Sequence, residues 1–145
     1  MKSRSLLFAP LVLVAGLAAA QAGLPVVDIY KHEGCGCCGL WAAHLEKQGF
    51  KVRSHEVKDV SVVRSGAGIP EAMRSCHTAI VGRYAIEGHV PAADVKRLLR
   101  EQPKAKGLAV AGMPAGSPGM EGAGKVPYEV RLVLEDGTTR VYSRH

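Results

Sequence analysis

An α/β fold with a central mixed β-sheet flanked by helices is what this 145-residue sequence predicts, and three features carry that expectation. A short apolar run at Val26–Tyr30 is followed at once by glycines and a helical stretch, the spacing of a strand feeding a helix. Two further apolar runs, Thr78–Val81 and Tyr84–Glu87, are separated only by Gly82-Arg83, which is hairpin spacing. Alternation returns near the C-terminus on either side of Asp136-Gly137. The length suits one domain, and 47% hydrophobic with 22% charged residues excludes wholesale disorder. One Trp, two Phe and four Tyr leave the core to aliphatic side chains.

Ahead of the first strand, Lys2 and Arg4 precede the apolar run Leu6–Ala20, which contains Pro10 and Gly16. Its 15 residues fall short of the roughly 20 that span a bilayer. The run ends in Ala20-Gln21-Ala22, a small-x-small cleavage pattern. The expectation is a secretory signal peptide over residues 1–22 and a domain over residues 23–145 with no membrane insertion after cleavage. Losing Lys2 and Arg4 lowers the net charge from +6 to +4, a balance that speaks for solubility. No basic cluster interleaved with aromatics marks a nucleic-acid partner. Export also places the cysteines where thiols oxidise unless a metal or a reductant holds them.

Taken in order, Val26–Tyr30 is the first strand and Leu40–Gln48 a helix that Gly49 stops, with Phe50 as the apolar contact behind it. Lys51–Val57 alternates and reads as a second strand. Asp59 caps a short helix to Arg64, which Gly66–Pro70 breaks, and a helical turn at Glu71–Arg74 leads to Ser75-Cys76-His77. After the hairpin, Pro91 starts a helix whose apolar face carries Val95, Leu98 and Leu99. This β-α-β-(α)-β-β-α order is that of a thioredoxin-like fold. Pro103–Pro127 holds six Gly and four Pro in 25 residues and reads as a long Gly/Pro/Met loop. Tyr128–Leu134 and Thr138–Tyr142 then form a C-terminal β-hairpin.

Cys35, Cys37 and Cys38 stand at the mouth of the first helix, where free backbone N–H groups and the helix dipole favour thiolates. Cys35 and Cys38 alone make C-x-x-C, so they are the candidate redox-active pair. Cys37 is additional, and a dithiol exchange site does not need it. In a thioredoxin-like topology the loop entering the third strand runs beside the start of the first helix, so Cys76 faces the other three.

Soft thiolates select Cu(I), Zn(II) or iron–sulfur clusters. Zinc usually takes two separated cysteine pairs, whereas this chain has three cysteines plus one. Cu(I) accepts two or three thiolates and lets one sulfur bridge several metals, which suits the adjacent Cys37 and Cys38. Thiol–disulfide exchange on exported proteins, with Cys35 attacking and Cys38 resolving, is the competing reading. Zinc, ordinary structural disulfides and a passive copper buffer or chaperone also stay open.

His77 is a further candidate metal ligand, although strand alternation can turn it away from Cys76. Met113 and Met120 are candidate thioether ligands, with a lid over the core as their other role. His32 is expected to be solvated or to support the ligands, His44 to pack or lie at the surface, and His145 to be exposed. His55 and His89 have no chemical company in the sequence.

Four motifs occur in a telling order. Cys35-Gly36-Cys37-Cys38 follows Tyr30-Lys31, Cys76-His77-Thr78 precedes a strand, and Glu87-Gly88-His89-Val90-Pro91-Ala92 leads into a helix. Gly112-Met113-Pro114 and Gly116-Ser117-Pro118-Gly119-Met120 complete the set. Together they resemble the CopG-like periplasmic copper-resistance proteins, a thioredoxin-like family formerly catalogued as a domain of unknown function. The resemblance spans Val26 to Tyr142 and implies a periplasmic copper-binding protein tied to copper resistance. It implies Cys35, Cys37, Cys38 and Cys76 as Cu(I) ligands in a small cluster, with His77 as a neighbour and cysteines that pass between thiolate and disulfide. Oxidising those cysteines would release the metal and supply electrons to Cu(II), so Cu(II)/Cu(I) interconversion is an activity to test. Copper ions, and another periplasmic copper-handling protein, are the expected partners. One departure from ordinary thioredoxins weakens the exchange reading: no proline stands beside Cys76, so their cis-proline substrate-binding feature is missing.

Overall fold

β1 (Val27–Lys31), α1 (Gly36–Lys47), β2 (Val52–Glu56) and α2 (Val60–Gly66) open the fold, followed by a 3₁₀ turn at Glu71–Met73. β3 (His77–Val81), β4 (Tyr84–Glu87), α3 (Ala92–Glu101) and β5 (Ala105–Ala109) come next. A second 3₁₀ turn at Glu121–Ala123 precedes β6 (Glu129–Leu134) and β7 (Thr139–Arg144). This computed structural model describes residues 23–145, and the expected signal peptide lies outside them. The seven strands form one sheet in the order β2-β1-β3-β4-β5-β6-β7. β1/β2 and β4/β5 are parallel and the remaining pairs antiparallel, so the sheet is mixed as expected.

Local sequence explains most of these elements. Val27 and Ile29 alternate into the core of β1, and Cys38, Trp41 and Leu45 bury one stripe of α1 against it. Gly49, at φ +91°, ends α1, and its N–H and that of Phe50 reach back to the carbonyls of Glu46 and Leu45. Those are the two bonds of a Schellman cap, with Phe50 buried behind it. Asp59 caps α2 by accepting from the Ser61 amide at 2.8 Å. α1 is tied to the start of α3 by two polar contacts: Trp41 Nε1 donates to the Val90 carbonyl at 2.8 Å, and the Ala92 amide donates to His44 Nε2 at 3.1 Å.

The expected unbroken loop from Pro103 to Pro127 is corrected by β5. Ala105–Ala109 reads Ala-Lys-Gly-Leu-Ala, a poor strand by intrinsic preference. It is a strand because β4 and β6 pair with it on both sides, Ile86 facing Leu108 and Leu108 facing Leu132. Gly107 is required there, since a Cβ would run into the Ala85 carbonyl. β5 thus joins the C-terminal hairpin to the main sheet. Among the described residues no helix is long and apolar enough to cross a membrane.

Trp41 is fully buried and anchors the β4–α3 connection through its indole N–H. Trp41→Phe leaves the Val90 carbonyl without its donor, and urea unfolding should register a loss of about 2 kcal/mol. A midpoint equal to that of the parent protein would show that the indole bond does not fasten this corner.

Candidate metal centre

The antiparallel pairing of β1 with β3 sets Lys31 opposite His77, so the chain leaving β1 and the chain entering β3 share one end of the sheet. The first carries Cys35, the N-cap of α1, then Cys37 and Cys38 in its first turn. The second carries Cys76. The four sulfurs all lie within 4.8 Å of one another, an arrangement that could hold a metal ion. Cys35 and Cys38 are joined by a disulfide, while Cys37 and Cys76 are free thiols. Cys37 Sγ stands 3.7 Å from Cys35 Sγ and 3.8 Å from Cys76 Sγ.

A second group shares Cys76: its sulfur and ring nitrogens of His77 and His89 also lie within 4.8 Å of one another. His77 Nδ1 is 3.3 Å and His89 Nε2 3.0 Å from Cys76 Sγ. The company of His89 corrects the expectation that it had none. The hairpin register held the signal. A two-residue turn pairs Val81 with Tyr84 and Thr78 with Glu87, which carries residue 89 across from residue 76. The Gly88 amide donating to the His77 carbonyl at 3.0 Å continues that register.

The protonation of this group follows from its partners. His89 Nδ1 is 2.8 Å from the Pro118 carbonyl, which can only accept, so Nδ1 carries the proton and Nε2 turns a lone pair to Cys76. A second hydrogen bond that fixes the tautomer in this way is the usual support of a metal-ligating histidine. His77 is fully buried beside Trp41, ring centroids 4.4 Å apart, and its Nε2 has no hydrogen-bond partner. Burial, with His89 alongside, pushes His77 down to about 3; burial also lowers His89. Both imidazoles are neutral at pH 7. Burial and the neighbouring Cys37 push the Cys76 thiol up to about 12, so metal binding there must displace a proton.

The Gly/Pro/Met segment lies over this group. Met113 Sδ is 3.9 Å from Cys37 Sγ and the side chain is half exposed. Gly119 sits flat on the start of α1 at φ +87°; a Cβ there would come within 2.9 Å of the Cys37 carbonyl and the Trp41 amide. Met120 is placed differently: it leads into the second 3₁₀ turn, its carbonyl accepts from Gly116, and its thioether makes no comparable contact with the thiols or imidazoles. His32 is exposed and lines a cleft of about 470 Å³ that also reaches Cys76 and Met113. His55, expected to have no chemical company, pairs with Asp28 at 2.7 Å, and His145, exposed as expected, pairs with Asp94 at 2.8 Å.

Residues 73–120 match the family described as "Protein of unknown function, DUF411", a segment holding Cys76, His77, His89 and Met113. Two solved structures, described as copper resistance protein copG, form 1 and form 2, are each 43% identical to this chain. The match covers 84% of this chain and 98% of each of theirs, with TM-scores of 0.79 and 0.80. This chain belongs to the CopG family. No curated protein matches it.

Because His77 and His89 bind protons less readily when folded than when unfolded, the stability they allow is complete above pH 6.5 and is lost as the pH falls. At pH 5 the His77 share is about 2 kcal/mol. His77→Phe, which also removes the orphaned Nε2, should flatten the fall in metal-free stability between pH 7 and pH 5 by about that amount, read from denaturant midpoints. An unchanged slope would show that His77 is not held neutral.

Proposed function

We propose that this CopG-family protein binds copper as Cu(I), on the thiolates of Cys35, Cys37, Cys38 and Cys76, and serves copper resistance in the periplasm once residues 1–22 are removed. The observation that carries the proposal is the convergence of four sulfurs from two distant segments, all within 4.8 Å. Thiolates are soft ligands that favour Cu(I), and sulfurs at this spacing can be shared between ions. His77, His89 and Met113 stand around the same space and extend the donor set. The relatives' description as copper resistance proteins supports copper over zinc.

The cysteines couple this binding to redox chemistry. When the Cys35 and Cys38 thiolates close to a disulfide they release two electrons, enough to reduce two Cu(II) to two Cu(I). Reopening the disulfide takes two electrons from an external thiol reductant. The Cys35–Cys38 disulfide also favours a second reading, thiol–disulfide exchange with exported proteins. Against it, no proline stands beside Cys76, where ordinary thioredoxins carry their substrate-binding cis-proline.

An anaerobic Cu(I) titration of the fully reduced chain 23–145 against a competing chelator decides between them. More than one tightly held copper per chain, lost in Cys37→Ser and in Cys76→Ser, is the expected result. Retention of no copper, together with insulin reduction that survives Cys37→Ser, would replace the copper reading with the exchange reading.

The proton on Cys76 gives a separate check. Cu(I) affinity should rise with pH, and Cys76→Ser should lower the slope of log K against pH by about one. An unchanged slope would remove Cys76 from the ligands.

A further inference from the structure

Behind Cys76, on the side away from the histidines, lies a buried ion pair that the donor set does not use. Glu87, the last residue of β4, is fully buried. Its Oε1 accepts from Arg64 Nε at 2.9 Å and from the Ser75 amide at 2.7 Å, and its Oε2 accepts from Thr78 Oγ1 at 2.5 Å. Arg64, on α2, is also buried; its Nη2 donates to the Ser75 carbonyl at 3.3 Å and its Nη1 to Glu71 at 3.0 Å. The pair therefore grips both backbone polar groups of the residue preceding Cys76. The grip extends one loop further. Ser75 Oγ donates to the Gly112 carbonyl, and the Gly112 amide donates to the Arg74 carbonyl at 2.9 Å, which fixes the chain leading into Met113.

A buried ion pair is a poor way to gain stability, because desolvating both charges offsets most of their attraction and an apolar pair of equal volume often does as well. What it supplies is directional bonding at one place. Here that place is the loop that ordinary thioredoxins fix with a cis-proline, and this chain has no proline beside Cys76. We infer that Arg64 and Glu87 are positioning residues for the copper site: by clamping Ser75, and through it Gly112, they set where Cys76 Sγ and Met113 Sδ stand relative to Cys37. The inference rests on the copper reading for its purpose, but the positioning itself is measurable without copper.

The test replaces the pair by apolar residues, Arg64→Met with Glu87→Met, so that no lone charge is left buried. Arg64→Lys is the second variant; it keeps the charge but loses the guanidinium fork that reaches both Glu87 and Ser75. Three quantities are read on each variant in full chain 23–145: thermal midpoint, Cu(I) affinity by chelator competition, and iodoacetamide alkylation of Cys76 against Cys37 in the metal-free disulfide form. Positioning predicts a near-parental midpoint in the double variant, Cu(I) affinity lower by about tenfold or more, and Cys76 alkylation faster by about fivefold with Cys37 little changed. Arg64→Lys should move both in the same direction by less, and it decides the matter if the double variant does not fold.

Parental affinity and parental Cys76 reactivity in a folded variant would overturn the inference and leave the pair a structural one. If the parent chain itself binds no Cu(I), the copper reading fails, and the alkylation ratio alone still confirms or overturns the clamp.

Discussion

The antiparallel pairing of β1 with β3 is the constraint on which the site depends. It brings the end of β1 level with the start of β3, Lys31 against His77, and so places the first turn of α1 beside Cys76. The rest follows from the same sheet end. β4 ends opposite Thr78 and delivers His89 one turn later. β5 runs parallel to β4, Ala109 beside Glu87, and so delivers Gly112 and Met113 to the same rim. Donors from four segments thus meet beyond the carboxyl ends of the parallel strands, where open α/β sheets place their sites.

Around Cys76 the fold accepts two arrangements that stability alone would not select. On one side stand neutral, buried imidazoles, one of them with an unpartnered nitrogen; an orphan of that kind costs about 1–3 kcal/mol. On the other side stands a desolvated arginine–glutamate pair. Trp41 backs the first group, and Thr78 Oγ1 fills the remaining acceptor need of the second. Local departures from optimal burial gathered on one residue are the physical signature of a site rather than of packing.

What the sequence made legible were the features governed by short-range rules. The first strand, the Gly49 stop and the two-residue hairpin are set by residues within a few positions of one another and stand where those rules put them, while α1 starts at Gly36 rather than Leu40 and Pro91 is the N-cap of α3 rather than its first residue. The meeting of Cys76 with the three helix-mouth cysteines was reachable because it needs only the strand order. β5 was not legible, since Ala-Lys-Gly-Leu-Ala becomes a strand only through neighbours on both sides. His89 was missed for a different reason: its meaning lies in the hairpin register, which the turn length already specified. Met113 and Met120 look alike in the sequence, and only the path of the folded segment brings the Met113 thioether to Cys37, through the Gly112 bonds to Arg74 and Ser75.

The proposed coupling of copper and redox chemistry follows from competition for the same sulfurs. In the disulfide form two of the four cysteines are removed from the donor set, and what remains around Cys76 is one further thiol, two neutral imidazoles and a thioether. Reduction restores a set rich in thiolate. Soft thiolates hold Cu(I) most firmly, whereas imidazole also suits copper in its higher state, so in the proposed cycle oxidation of Cys35 and Cys38 would shift the balance away from Cu(I) at the moment it supplies electrons to make it. On the proposed reading, such a protein would bind and release copper by changing which atoms are free to bind. For that exchange to work Cys76 must stay in place while its neighbours open and close, and a rigid hold on Ser75 is the means by which a loop without its proline can do so.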